Sequence, residues 1–189
     1  NGDGTTPAAL TVQDYAAAGI TGVTADNLTA VNAQVLKQNV GGADTAPEVQ
    51  ALVTNANNAL AKIEAYNNGN GTTPAALTAQ DYADAGITGV TADNLASVLA
   101  GIASTADNGS AIDTQAELQS VVNAAIEAYN DLTALNALRD AAINRITAYA
   151  GDTTTAAGST LPTLSDYQVA GITGVSSANL SALNSALAT

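Results

Sequence analysis

Apolar residues recur at three- and four-residue spacing along much of the chain, a period that is typical of amphipathic α-helices. One such stretch contains Leu28, Val31 and Val35, and the same spacing returns over residues 95–102. A longer apolar stripe of this kind runs through residues 49–66. The pattern therefore predicts an all-α fold in which each helix buries one face.

One block of sequence occurs three times. The copies read LTVQDYAAAGITGVTADNLTAVNAQV from Leu10, LTAQDYADAGITGVTADNLASVLAGI from Leu77 and TLSDYQVAGITGVSSANLSALNSAL from Thr163. Such self-similarity indicates an array of small modules rather than one large domain.

Each copy begins with a signal for a short helix. Thr11 stands three residues before Asp14, which is close to a capping box, in which a hydroxyl and an acid bind the first free backbone amides. We expect about two helical turns that pass through a tyrosine and end at a glycine in the left-handed conformation. The recurring positions, including the second glycine and the leucine of the next helix, are Tyr15, Gly19, Gly22, Leu28, Tyr82, Gly86, Gly89, Leu95, Tyr167, Gly171, Gly174 and Leu180.

A second helix is expected after the turn Ile-Thr-Gly-Val. Its predicted N-caps are Thr24, Thr91 and Ser176, since a hydroxyl residue at this place can bind the first amides of the helix. In the first copy, Val23 and Leu28 have the spacing of a hydrophobic staple, one residue before the cap and four after it.

A third helix is predicted in the first two copies, where Thr45 with Glu48 and Thr114 with Glu117 have capping-box spacing. The second copy is 18 residues longer than the first, because Gly19 and Gly86 are 67 residues apart and the next interval is 85. Placing fourteen of these residues inside the third helix turns its apolar face by only about 40°. A rival alignment, which pairs different tyrosines, turns the apolar face to the far side of the helix.

The favoured alignment pairs Tyr66 with Tyr149, and the rival pairs Tyr66 with Tyr129. The favoured one predicts a single long helix over about residues 115–149, which outruns its own module. Its second half needs cover from the third copy or from another chain, and the third copy, truncated to a helix pair, could accept a helix from a neighbour. The predicted assembly contacts are Leu132, Leu135, Leu138, Ile146, Tyr149, Leu183 and Leu187.

The predicted organisation is therefore a tandem array of three-helix bundles. Segments rich in Asn, Gly and Thr act as linkers, and the chain opens and stops as if it were part of a longer polypeptide. The linkers are residues 1–10, 67–77 and 150–162; the modules are 11–66, 78–149 with the extended third helix, and the partial module 163–189. Residues 68–71 contain no acid, so we expect solvated turns there rather than a calcium site.

Composition argues against most chemistry. The chain has no Cys or His, four Lys plus Arg against seventeen Asp plus Glu, and a formal charge of −13. Such acidity disfavours nucleic acid and anionic membranes as partners, and no apolar run is long enough to insert into a membrane. We expect the acids to cap helices, the tyrosine rings to fill the core, and Lys62, Arg139 and Arg145 to lie on solvated faces, with Lys37 ending the second helix. The sequence predicts neither an enzyme nor a cofactor.

The stretch GITGVTADNLTAVNAQV followed by DTAPEVQALV resembles the α-helical tandem repeats of very large secreted surface proteins of Gram-negative bacteria, which are adhesin-like or biofilm-associated. It is more distantly similar to the three-helix albumin-binding module of Gram-positive cell-wall proteins. Albumin binding does not carry over, because residues 27–53 offer mainly Ala, Asn, Gln and Thr outside their core positions.

The resemblance implies an extracellular or cell-surface location and many repeated modules. We therefore expect a structural repeat segment that acts as a spacer, stalk or self-assembling filament unit, with neighbouring copies or adjacent repeats as its partners. The alternative is a binding module that recognises a host or matrix protein through the face formed by its second and third helices.

Overall fold

A computed structural model describes residues 9–38, 41–67, 76–105, 112, 114–150 and 160–188. These residues form α-helices and contain no strand, so the all-α prediction is confirmed. The helices are α1 (Val12–Ala17), α2 (Leu28–Leu36), α3 (Ala46–Asn67), α4 (Ala79–Asp84), α5 (Leu95–Ala103), α6 (Gln115–Ala150), α7 (Leu164–Val169) and α8 (Leu180–Leu187). The long helix expected over about 115–149 is confirmed as α6, which has 36 residues. Most of the predicted linker residues, including 68–71, lie outside the described residues.

The first helix of each copy is fixed at both ends by its own sequence. Thr11, Thr78 and Thr163 each form the reciprocal capping box with the aspartate three residues on, as predicted. At the other end the glycine has a positive φ, 75° at Gly19. The amide of Ile20 then donates to the carbonyl of Tyr15 at 2.9 Å. This closing bond is the Schellman motif, and both other copies repeat it.

The predicted N-caps of the second helices are wrong, since α2, α5 and α8 begin four residues after Thr24, Thr91 and Ser176. The reason is an asparagine that stands three residues after each of these hydroxyl residues. The amide of Thr24 donates to Asn27 Oδ1 at 2.8 Å, and Asn27 Nδ2 donates to the carbonyl of Gly22 at 2.7 Å. These bonds hold a separate turn ahead of the helix, and Asn94 and Asn179 repeat them.

The chain divides into two compact units, Asn1–Tyr129 and Asn130–Thr189. The first unit holds two buried clusters, and α3 contributes to both of them. Val53 and Ala56 lie in the smaller cluster, with Tyr15, Ile20, Ala30 and Val31. One turn further along α3, Ala59 and Ile63 lie in the larger cluster, with Leu77, Tyr82, Ala85, Ile87, Val98, Ile102, Ile112, Leu118, Val122 and Ala125. The two ends of one helix thus serve the cores of two successive copies.

The end of α6 lies beside α7 in the second unit, just as the end of α3 lies beside α4 in the first unit. Ala142 is buried, as Ala59 is, and the two correspond when Tyr66 is aligned with Tyr149. Residues 130–141, which that alignment places largely in the insertion, are all exposed. The packing therefore agrees with an insertion of fourteen residues inside the helix.

Candidate functional site

The first two copies meet where α4 packs against α2 and α3, a contact that we call the copy junction. At its centre Gly86, with φ 73°, meets the backbone of α2: a Cβ added there would lie 2.7 Å from Ala30 Cα. A side chain is excluded by this approach as well as by the positive φ. The recurring glycine thus does more here than end a helix.

Polar side chains of α2 bind the end of α4. Gln34 Nε2 donates to the carbonyl of Asp84 at 2.8 Å, and Lys37 Nζ donates to the carbonyl of Ala83 at 2.7 Å. Lys37 Nζ also lies 3.0 Å from Asp84 Oδ1. These groups satisfy terminal carbonyls of a helix and place a positive charge at its negative pole. Lys37 follows the last residue of α2, as expected, but its partners belong to the next copy.

An ion pair joins α3 to the start of α4. Lys62 Nζ lies 2.6 Å from Oδ1 of Asp81, the acid of the capping box. Burial opposes ionisation of that carboxyl, but the Lys62 ammonium and the Thr78 hydroxyl outweigh it and hold the pKa of Asp81 below its ordinary value. Lys62, predicted to lie on a solvated face, is half-buried, because it is engaged with the following copy.

The same pair recurs between the end of α6 and α7. Arg145 Nε lies 3.2 Å from Oδ1 of the buried Asp166. Arg145 corresponds to Lys62 in the fourteen-residue alignment, and it is exposed, as expected, while pairing with this acid. Its charge helps to lower the pKa of Asp166, after the larger effect of hydrogen bonds from Thr163. Asp14, the equivalent acid of the first copy, has no cation partner among the described residues.

The three repeated tyrosines are buried, as expected, but their hydroxyls differ. Tyr15 donates to Asn32 Oδ1 at 2.6 Å, and Asn32 in turn donates to the carbonyl of Leu10. Tyr167 makes the same bridge through Asn184 to the carbonyl of Pro162. In the second copy Leu99 stands at the asparagine position, and the buried Tyr82 hydroxyl has no hydrogen-bond partner. Burial raises its pKa.

A glutamine near the start of each complete third helix holds the Ile-Thr-Gly-Val turn. The amide of Thr21 donates to Gln50 Oε1 at 3.0 Å, and Gln50 Nε2 donates back to the carbonyl of Thr21. Gln119 makes the same two bonds to Thr88. We call this pair of bonds the glutamine clamp. Sequence reasoning missed it, although both glutamines follow the capping box at the same distance.

A shallow polar cleft of about 260 Å³ opens beside the copy junction. Its lining includes Gln34, Lys62, Asp81 and Asp84, which the junction already engages. In the described part of the chain, no group of three or more metal-binding side chains could hold an ion. The arrangement is that of a packing contact.

The predicted assembly residues fall into two groups. Leu132, Leu135 and Leu138 are more than half exposed on the middle of α6. The other four are half-buried in the second unit: Ile146, Tyr149, Leu183 and Leu187. In the whole described chain, seven of nine exposed large apolar side chains lie in this unit. Apolar surface that lacks cover is therefore concentrated there.

A scan against protein-family models gives no match, and searches of curated proteins and of solved structures give none either. Among the described residues, none of the helices has the length and apolar character needed to cross a membrane.

Proposed function

We propose that this chain is a structural repeat segment of an extracellular bacterial surface or matrix protein, in which it acts as a spacer, stalk or filament-forming unit. It is built of tandem three-helix modules, and the third copy is a helix pair. The observation that carries the proposal is an ion pair that recurs from copy to copy, which we call the junction ion pair. Lys62 with Asp81 joins the first copy to the second, and Arg145 with Asp166 joins the second copy to the third in the same way.

The junction is suited to bearing load because it restrains the second copy at several points. The backbone contact at Gly86 fixes how closely α4 approaches α2. Gln34 and Lys37 bind the end of α4, and Lys62 binds its beginning. A rotation of one copy against the other would break several of these contacts at once. Such a joint transmits orientation along an array, as a stalk requires.

The alternative, a module that binds a host or matrix protein through the second and third helices, is supported less well. In the first copy these helices bear Gln34, Lys37 and Lys62, which α4 already engages. A partner that used this face would compete with the second copy. The acidic composition suits a repeated surface protein, since a large net charge of one sign discourages nonspecific association.

Antibodies raised against residues 1–189 provide the test. Applied to intact cells of the source organism, they should label the surface or the surrounding matrix. In-frame removal of the segment from the native gene should leave export unchanged and bring the distal part of the protein closer to the cell in immunogold images. Labelling that requires permeabilised cells would contradict the location, and an unchanged distance after deletion would contradict the spacer role.

A further inference from the structure

Three leucines lie in solvent on the middle of α6. Leu132, Leu135 and Leu138 are 57 %, 57 % and 62 % exposed, and every residue from 130 to 141 is exposed. Steps of three residues keep the three side chains within about 120° of one another around the helix, so they share one side of it. We call this surface the leucine stripe.

The exposure of the leucine stripe follows from its place inside α6. Before it, Val122 and Ala125 are buried in the larger cluster. After it, Ala142 is buried and Arg145 pairs with an acid of α7. The stripe lies in the fourteen-residue insertion between these two packed parts of the helix, so neither part covers it.

Two opposite charges flank the leucine stripe at equal distances. Asp131 and Arg139 each stand four residues from Leu135. Leu132 and Leu138 each stand three residues from Leu135. Neither charge belongs to an ion pair between residues that the structure describes. Read from either end, the segment therefore has the same apolar positions, with an acid at one end and a base at the other.

We propose that the leucine stripe is a contact surface for a second copy of this chain, in which two α6 helices cross antiparallel about a two-fold axis at Leu135. Such an axis brings the two Leu135 side chains together and sets Asp131 of one copy level with Arg139 of the other. A parallel pair would instead set acid level with acid and base level with base, and these charges repel. Within one chain Arg139 Nη2 lies 3.7 Å from the place of a Cβ on Gly171, but Arg139 is exposed and can turn toward a second copy.

The distribution of charge also favours contact through this part of the chain. Residues 1–129 carry thirteen acidic and two basic side chains, whereas residues 130–189 carry four acidic and two basic ones. Two copies therefore repel each other strongly through their first units and only weakly through their second units. Association of the chain with itself is least opposed at the leucine stripe.

The proposed contact is short. Because Ala142 is buried, the second helix must turn away before the end of α6, and the contact spans residues 131–139, about 12 Å of helix. Such a contact buries less than the roughly 800 Å² per partner of a standard interface, so two isolated chains pair weakly. In an array of repeats, several weak contacts of this kind can hold two stalks side by side. That role rests on the proposed function, whereas the contact itself does not.

Disulfide trapping tests the contact, because the chain has no cysteine. Leu135→Cys places a thiol on the proposed axis, where the thiols of two copies can bond directly. Ala137→Cys is the matched control, since this exposed position lies about 200° around the helix from Leu135. With oxidised glutathione as the oxidant, Leu135→Cys should form dimers roughly tenfold faster than Ala137→Cys, because paired copies hold its thiols at a high effective concentration. Equal rates would overturn the contact.

Charge reversal in the Leu135→Cys chain tests the antiparallel arrangement. Asp131→Arg sets two arginines level with each other at both ends of the contact, so it should slow dimer formation about fivefold. This slowing is expected although the substitution lowers the net negative charge of the chain. Adding Arg139→Asp restores opposite charges and should restore the rate. A rate that stays low in the doubly substituted chain, or that never falls with Asp131→Arg, would overturn the two-fold arrangement.

Circular dichroism should show the same helix content in every variant, since all the substituted positions are exposed. The contact and the proposed function can fail separately. Equal trapping rates would leave the copy junction between α2, α3 and α4 intact, because the leucine stripe takes no part in it. Antibody labelling that requires permeabilised cells would contradict the proposed location, but it would not change the trapping rates in solution.

Discussion

The second and third copies contain nearly the same block of sequence, and only the second is enclosed. Tyr82, Ile87 and Val98 lie in a cluster that also receives the end of α3 and the beginning of α6. Tyr167 is buried against the end of α6, but Ile172 is 43 % exposed. The block therefore determines its own caps and turns, whereas its burial depends on third helices that lie outside it.

The largest difference is expected for the isoleucine of the turn. Ile87→Ala removes a buried side chain and leaves a cavity, so it should lower the free energy of unfolding by about 2–5 kcal/mol. Ile172→Ala should cost less, about 1 kcal/mol, because this side chain is already partly in solvent. Guanidinium denaturation followed by circular dichroism compares the two. Equal losses would mean that the face of α7 and α8 is covered.

The closing glycines provide a second contrast. Gly86→Ala adds the strain of a positive φ to a clash with the Ala30 backbone, and we expect a loss of about 3 kcal/mol. Gly171→Ala carries the φ strain alone, since its nearest neighbour is Arg139 Nη2 at 3.7 Å, and should cost about 1 kcal/mol. Thermal and chemical unfolding measure both. A Gly86→Ala loss no larger than that of Gly171→Ala would argue against the close packing of α4 on α2.

The tyrosine hydroxyls should respond in opposite ways. Tyr15→Phe breaks the bond to Asn32 and should cost about 1 kcal/mol. Tyr82→Phe removes a buried hydroxyl that has no partner, so stability should stay the same or rise. Leu99→Asn supplies the missing partner, and in that background Tyr82→Phe should become costly. A double-mutant cycle measures this coupling, and a coupling of zero would contradict the assigned role of the asparagine.

The junction ion pair should give the smallest effect, with a defined pH dependence. The pKa of Asp81 is lowered from its ordinary value of 3.8, so the pair stabilises the fold fully above that pH and loses its effect as the pH falls through the lowered pKa. Lys62→Met should cost less than about 1 kcal/mol at pH 6, since the pair is partly exposed. The difference in the free energy of unfolding between the unmodified chain and Lys62→Met should disappear as the pH falls below about 3.8. A gap of the same size at pH 2.5 would assign the loss to packing instead.

Features that depend on a few neighbouring residues could be predicted from the sequence. The capping boxes at Thr11, Thr78 and Thr163 and the left-handed glycines need only local geometry, which the residue types dictate. The long helix α6 was predictable because fourteen added residues keep its apolar stripe nearly in phase.

Features that depend on the relation between helices could not be predicted. Asn27 recurs in register with the block, and Gln50 recurs in register with the capping box of the third helix, which is a signal. Their partners, however, lie in a turn whose position only the folded chain defines. Lys62 resembles any exposed lysine until α4 is placed beside it. The close approach of Gly86 to Ala30 depends in the same way on packing between two copies.

The first two copies are held at a fixed junction, and the distance between two spin labels tests this most directly. The chain contains no cysteine, so labels can be placed at Ala16 and Ala96 alone, two exposed positions on α1 and α5. Pulsed electron paramagnetic resonance should give one narrow distribution of the distance between the labels, and this distribution should not depend on salt. Lys62→Met should leave it narrow, whereas Gly86→Ala should shift or broaden it. A broad distribution in the unmodified sequence, as expected for two bodies joined only by a chain segment, would contradict the account.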